Sequence, residues 1–235
     1  MISFFSIDNV LFSVLGYPMS YLEFFGTVLN IAAVWLVARK HILNWPIGIV
    51  AVILYGALFF QIRLYSDFVE QIYYLLSGFY GWWVWAKVEK GGDVSSSEAL
   101  VRFGTLKERV FTTVFIVVGT LALGWFMGHV NEWWPSIFQE PASFPYLDAV
   151  TTVMSFAAQM LMIFRIVDNW YLWIVVDVIG IWLYAAKEVR FVSMLYLVFL
   201  VLATLGLVEW KRETRKKGAP VSEPVIPTRK EMSSI

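Results

Sequence analysis

Hydrophobic positions along this chain gather into seven long runs and show no strand-like alternation. The runs lie near Leu22–Ala38, Trp45–Ile62, Phe68–Trp85, Val110–Gly128, Leu147–Phe164, Tyr171–Ala186 and Phe191–Trp210. About 20 mostly apolar residues in a helix cross the hydrocarbon core of a bilayer, and the runs approach that length. Barrel strands would be about half as long, with lipid-facing and lumen-facing residues alternating. The pattern therefore predicts an all-α integral membrane fold of seven transmembrane helices.

The polar positions separate these runs and orient them. Lys87–Arg109 is a polar connector with Gly-Gly and Ser-Ser-Ser steps, read as a flexible link. Asn131–Pro145 is rich in proline and aromatic residues, as expected at a membrane surface. Residues 1–20 lack the basic start and small-residue cleavage site of a signal peptide. They read as an interfacial amphipathic segment or a frayed end. Residues 213–235 carry no apolar periodicity and read as a disordered tail. In a seven-span arrangement, three Lys and Arg fall on the side of the N-terminus and fifteen on the other. The positive-inside rule then places the N-terminus outside and the C-terminus in the cytoplasm.

The chain also matches itself. At an offset of 125 residues, Tyr21–Lys87 aligns without gaps on Tyr146–Arg212. Ala32-Ala33 falls on Ala157-Ala158, Asn44-Trp45 on Asn169-Trp170, Gly81 on Gly206 and Trp85 on Trp210. Leu, Val and Ile coincide by chance in any apolar chain; Asn-Trp, Gly and Trp at one fixed offset do not. This divides the chain into a first three-helix repeat (21–87), a segment with one linker helix (88–145) and a second repeat (146–212). The odd helix between them restores a parallel orientation. Parallel repeats related by an axis along the membrane normal are a transporter plan, with the solute between them near the midplane. A duplicated scaffold without a pathway is the structural alternative.

Composition strengthens the membrane reading and narrows the chemistry. Hydrophobic residues make up 59% and charged residues 15%, against about 45–50% and about 25% in soluble chains. The chain has no cysteine, which excludes disulfides, thiolate zinc sites and a cysteine nucleophile. No HExxH, nucleophile elbow, P-loop or GxGxxG is present, and His41 and His129 fall at opposite membrane faces. Nothing points to an enzyme, a cofactor or nucleic acid.

Polar side chains at membrane depth are costly and usually face a cavity. Asn30, Tyr55, Tyr74, Ser77, Tyr80, Ser155, Gln159, Asp177 and Trp182 fall within the runs, with Asn30 and Ser155 at equivalent repeat positions. Asp177 has no Lys or Arg at its depth. It is protonated, wetted by a cavity or paired with an external cation, unless it simply packs against neighbouring hydroxyls. Trp182 follows five residues later and borders the same cavity or merely packs. Gln61, Glu70 and Gln71 lie toward the outer ends of their helices, as a vestibule or as interfacial groups; Glu70 reads as the latter. Glu23 and Asp148 open equivalent helices and read as structural. One carboxylate among aromatic rings suits a flat polar solute, neutral or cationic. The lack of basic residues argues against a phosphate ester.

The runs Asn44–Tyr65, Glu70–Trp85 and Asp168–Glu188 closely resemble the PnuC nicotinamide riboside transporters of bacteria. Phe60-Gln61, Leu64-Tyr65, Gln71, Tyr80-Gly81-Trp82, Trp85, Asn169-Trp170 and Trp173 are the most specific parts. The resemblance runs from Phe4 to Arg212. It implies a SWEET-like pair of triple-helix bundles joined by a linker helix, a homotrimer, and residence in the bacterial inner membrane. It further implies facilitated diffusion of nicotinamide riboside, trapped by a separate cytoplasmic kinase. In such a protein Trp182 and the tyrosines would stack the pyridinium, while Asp177, Gln159 and Asn30 would bond its amide or ribose. Related members carry thiamine or riboflavin, and a sugar carrier of the same plan or a non-transporting membrane protein are the rival readings.

Overall fold

The computed structural model describes residues 6–7, 9–14, 17–61, 65–91, 101–135, 144–186 and 190–218. Among these, seven long helices follow one another: α1 (Tyr21–Ala38), α2 (Asn44–Gln61), α3 (Tyr65–Gly91), α4 (Leu106–Trp133), α5 (Pro145–Ile163), α6 (Asn169–Ala186) and α7 (Arg190–Gly218). Six carry windows long and apolar enough to cross a membrane. The seventh, α3, has ample length at 27 residues, but Asp67, Glu70, Lys87 and Glu89 dilute its hydropathy.

In the N-terminal segment β1 (Val10–Val14) and β2 (Tyr17–Ser20) pair antiparallel, an element that the sequence did not announce. Ser20 then caps α1, its hydroxyl accepting from the Glu23 amide at 3.2 Å, which satisfies one of the helix's free N–H groups. Tyr17 donates to Glu23 at 2.8 Å. Burial and that carboxylate push the Tyr17 phenol above its usual range. The end of the Lys87–Arg109 connector is likewise ordered. Thr105 and Glu108 form a reciprocal capping box that starts α4 four residues before the apolar run. Helix α7 continues through Glu213 to Gly218; the remainder of the tail, 219–235, lies outside the described residues, as do 92–100 and 136–143.

Helices pack sequentially in hairpins, α1 on α2 on α3 and α5 on α6 on α7, with α4 against α5. Two seams join the groups: α1 meets α7, and α3 meets α5. Details recur at the 125-residue offset. Lys40 and Arg165 each end a helix with positive φ, 59° and 55°. Asn44 Nδ2 donates to the His41 carbonyl at 2.7 Å, and Asn169 Nδ2 to that of Ile166 at 2.6 Å. Trp45 meets Trp85 edge-on at 5.5 Å, as Trp170 meets Trp210 at 5.4 Å. Gly81 and Gly206 make room for this: a Cβ on Gly206 would lie 2.6 Å from the Trp170 ring, and one on Gly81 would collide with Trp45.

The buried apolar core sits at one end of the bundle. It holds Val37, Ala38, Trp45, Trp85, Ile163, Val167, Trp170 and Trp210, with Val101 from the connector inserted among them. Arg39, Lys40, Lys87, Arg102, Arg109, Arg165 and Lys211 surround that end, called here the basic end. The opposite, acidic end carries Glu23, Asp67, Glu70 and Asp148.

Candidate functional site

Between the midplane and the acidic end, α3, α5, α6 and α7 enclose a set of polar and aromatic side chains. Tyr74 donates to Glu70 Oε1 at 3.1 Å, and Ser155 of α5 is buried on the facing helix. One turn deeper, Gln159 Nε2 donates to Ser77 Oγ at 3.3 Å. Tyr73 donates to the Phe156 carbonyl at 2.9 Å, its ring 4.0 Å from that of Phe156. The Gln159–Ser77 and Tyr73–Phe156 bonds join α3 to α5.

From the other side, α6 contributes Asp177 and Tyr184, and α7 contributes Tyr196. Asp177 is 4% exposed and makes no hydrogen bond to another described residue. Tyr184 and Tyr196 stack at 5.4 Å with 20° between their planes. Tyr196 lies against Gly180, where a Cβ would strike its ring. It is within electrostatic reach of Glu70, Asp67 and Asp177, and Tyr184 within reach of Asp67, Asp148 and Glu70. The set thus holds several carboxylates, four tyrosines and no Lys or Arg among its described members. Such a set attracts a cation and presents flat faces to it.

Placement of the sequence candidates is uneven. Asp177, Gln159, Ser155 and Tyr74 are brought together. Asn30 is half-buried on α1 and stands apart. Trp182 is 58% exposed and touches Phe144 edge-on at 6.4 Å; it faces away from Asp177, because five residues turn a helix about 140° beyond one full turn. Tyr80 is exposed toward the basic end, stacked on Trp83. Gln71 bonds the Asp67 carbonyl at 3.4 Å and packs toward Gly56 of α2. Gln61 is exposed and accepts from the Ile7 amide at 3.2 Å, so it fastens the N-terminal segment. Glu70, read from sequence as an interfacial group, belongs to the cluster, and Tyr184 and Tyr196 were missed. The signal for Tyr184 was present: seven residues from Asp177 return to the same helix face. Tyr196 is the repeat equivalent of Gln71.

A bundle of apolar helices around an inward-facing polar site defines the class as a multi-pass membrane transporter. Residues 20–212 match the family described as nicotinamide mononucleotide transporter. The chain is 26% identical to the nicotinamide riboside transporter PnuC of Escherichia coli (strain K12), over 92% of this chain and 97% of that one. It is 27% identical to the riboflavin/roseoflavin transporter RibM of Streptomyces davaonensis, over 84% and 88%. A solved structure titled as the vitamin B3 transporter PnuC superposes with a TM-score of 0.62 at 26% identity, covering 83% of each chain. The chain belongs to the nicotinamide mononucleotide transporter family.

Proposed function

We propose that this protein carries nicotinamide riboside across the membrane by facilitated diffusion, at the cluster of Glu70, Tyr74, Ser155, Gln159, Asp177, Tyr184 and Tyr196. The observation that carries the reading is the gathering of the Glu70 and Asp177 carboxylates about the Tyr74 and Tyr196 phenols. The riboside is a planar pyridinium cation with a hydroxyl-rich sugar. Its ring suits the Tyr184–Tyr196 pair, its charge suits Glu70 and Asp177, and its hydroxyls suit Gln159 and Ser155. A phosphate ester would bring negative charge to carboxylates that have no Arg or Lys beside them among the described residues, which disfavours the mononucleotide of the family's description.

On this reading Tyr21–Lys87 and Tyr146–Arg212 are parallel three-helix units joined by α4, in a SWEET-like 3+1+3 plan. What supports it is the reciprocity of the seams: α1 against α7 corresponds to α5 against α3 under the 125-residue offset. The excess of Lys and Arg puts the basic end and the C-terminus in the cytoplasm and the N-terminus outside. A homotrimer in the bacterial inner membrane, and a cytoplasmic kinase that phosphorylates the product and so prevents its return, complete the proposal. Likeness to the riboflavin/roseoflavin transporter keeps another vitamin as the second reading.

Calorimetry on the purified protein with nicotinamide riboside, thiamine, riboflavin and nicotinamide mononucleotide tests the cargo. Binding of the riboside alone is the expected result. Binding of another vitamin would reassign the cargo, and binding of the mononucleotide at equal affinity would contradict the electrostatic argument.

A further inference from the structure

The two seams between the three-helix groups are equivalent by sequence but not equally fastened. At the basic end each is closed by a fully buried indole. Trp85 Nε1 donates to the Ile163 carbonyl at 3.0 Å across α3–α5, and Trp210 Nε1 to the Ala38 carbonyl at 3.1 Å across α1–α7. Each bond takes a carbonyl from the last turn of a helix, one otherwise without an intrahelical partner. A basic residue with positive φ follows each helix, and here the halves diverge. Lys40 reaches across to Glu213 and Glu209 on α7. Arg165 lies 4.3 Å over the Trp85 ring.

Beyond that, further hydrogen bonds between described residues reinforce the α3–α5 side. Tyr73–Phe156 and Ser77–Gln159 continue the bonding toward the site. Residues 101–105 also strap its turn from below. The Arg102 amide donates to the Arg165 carbonyl at 3.3 Å, and the Val167 amide returns a bond to Arg102 at 2.8 Å. The Gly104 amide donates to Asp168 Oδ2 at 2.8 Å, and Arg109 pairs with Asp168 at 2.6 Å. The repeat equivalent of Asp168 is Leu43, which is exposed and offers no such anchor. At the basic end the α1–α7 seam carries Trp210–Ala38 and the Lys40 ion pairs, with no counterpart of the strap among the described residues, while the two helices pack along their length.

We propose that the basic end opens on one side only. The end of α1 with the turn 39–43 parts from α7, releasing Trp210 from Ala38 and Lys40 from Glu213. The α3–α5 seam, held by the 101–105 strap, stays shut as the hinge. This rests on the transport reading for its purpose. It makes Lys40, Glu213 and Trp210 gating residues and Arg109 and Asp168 hinge-fastening ones.

The chain has no native cysteine, so paired cysteines report cleanly. The full chain in liposomes is bridged with a short, reducible bis-methanethiosulfonate, because Lys40 and Glu213 meet only through long side chains, an unsuitable geometry for a direct disulfide. Bridging Lys40→Cys/Glu213→Cys lowers riboside flux at least tenfold, and reductant restores it. Bridging Gly104→Cys/Ile166→Cys, where the Gly104 Cβ position is 3.4 Å from Ile166 Cγ2, leaves flux within twofold. Unimpaired flux through the first pair, or equal inhibition by both, overturns the proposal. A second readout is independent of cargo. A bulky maleimide labels Ala38→Cys at least tenfold faster than its repeat equivalent Ile163→Cys; equal rates, or the reverse order, overturn the one-sided opening. Should the unaltered chain carry no riboside, the cargo reading fails, while the labelling ratio still decides the gate.

Discussion

Glu70→Gln separates charge from architecture at the site. Gln keeps the size of Glu and an oxygen that accepts from Tyr74, so the 3.1 Å bond to the phenol survives. What is lost is one negative charge in a cluster with no described basic residue. A pyridinium held about 6 Å from that carboxylate, at an effective dielectric of about 20, is attracted by about 2.8 kcal/mol. Removing the charge therefore weakens riboside binding by about a hundredfold. The reduced riboside, whose dihydropyridine ring is neutral, has nearly the same shape and should lose less than about threefold. Calorimetry with both ligands on both proteins gives the comparison. Equal losses for the cation and the neutral analogue would refute the electrostatic role and leave Glu70 a packing residue. An unchanged riboside affinity would place the cation elsewhere.

Other expectations follow from the same geometry. Trp182→Ala leaves riboside affinity within about twofold, because the ring faces outward; a larger loss, measured by calorimetry, would return it to the site. Gly206→Ala drives a methyl into the Trp170 ring and lowers the thermal midpoint by an amount matching about 1–3 kcal/mol of overpacking; an unchanged melting curve would contradict the packing. If the cation crosses without a counter-moving charge, an inside-negative potassium-diffusion potential drives its accumulation in liposomes by about 2.3 kcal/mol per 100 mV, about fiftyfold. Indifference to that potential would mean that a compensating charge moves with the substrate.

The helices were legible because length and apolar continuity are one-dimensional signals, and the offset of 125 residues picked out the Asn-Trp, Gly and Trp positions that later formed matching contacts. What those residues do was not legible. Trp85 and Trp210 donate to main-chain carbonyls of Ile163 and Ala38, and a carbonyl acceptor leaves no mark in side-chain identity. Asp177 could be found because a carboxylate in an apolar run is anomalous. Its partners depend on helix rotation: Trp182 at five residues points away, while Tyr184 at seven shares its face. The position of Glu70 near a helix end suggested an interface, and its bond to Tyr74 depends on helix rotation that the sequence does not display. The paired strands Val10–Val14 and Tyr17–Ser20 were missed since five- and four-residue strands are too short to display a period.

The central claim is that this acidic, aromatic site passes a riboside cation and rejects its phosphate ester. Uptake of labelled nicotinamide riboside into liposomes containing only this protein tests it most directly. The account predicts saturable uptake that excess unlabelled riboside suppresses and that nicotinamide mononucleotide leaves untouched. Absence of saturable riboside uptake, or equal competition by the mononucleotide, would contradict it.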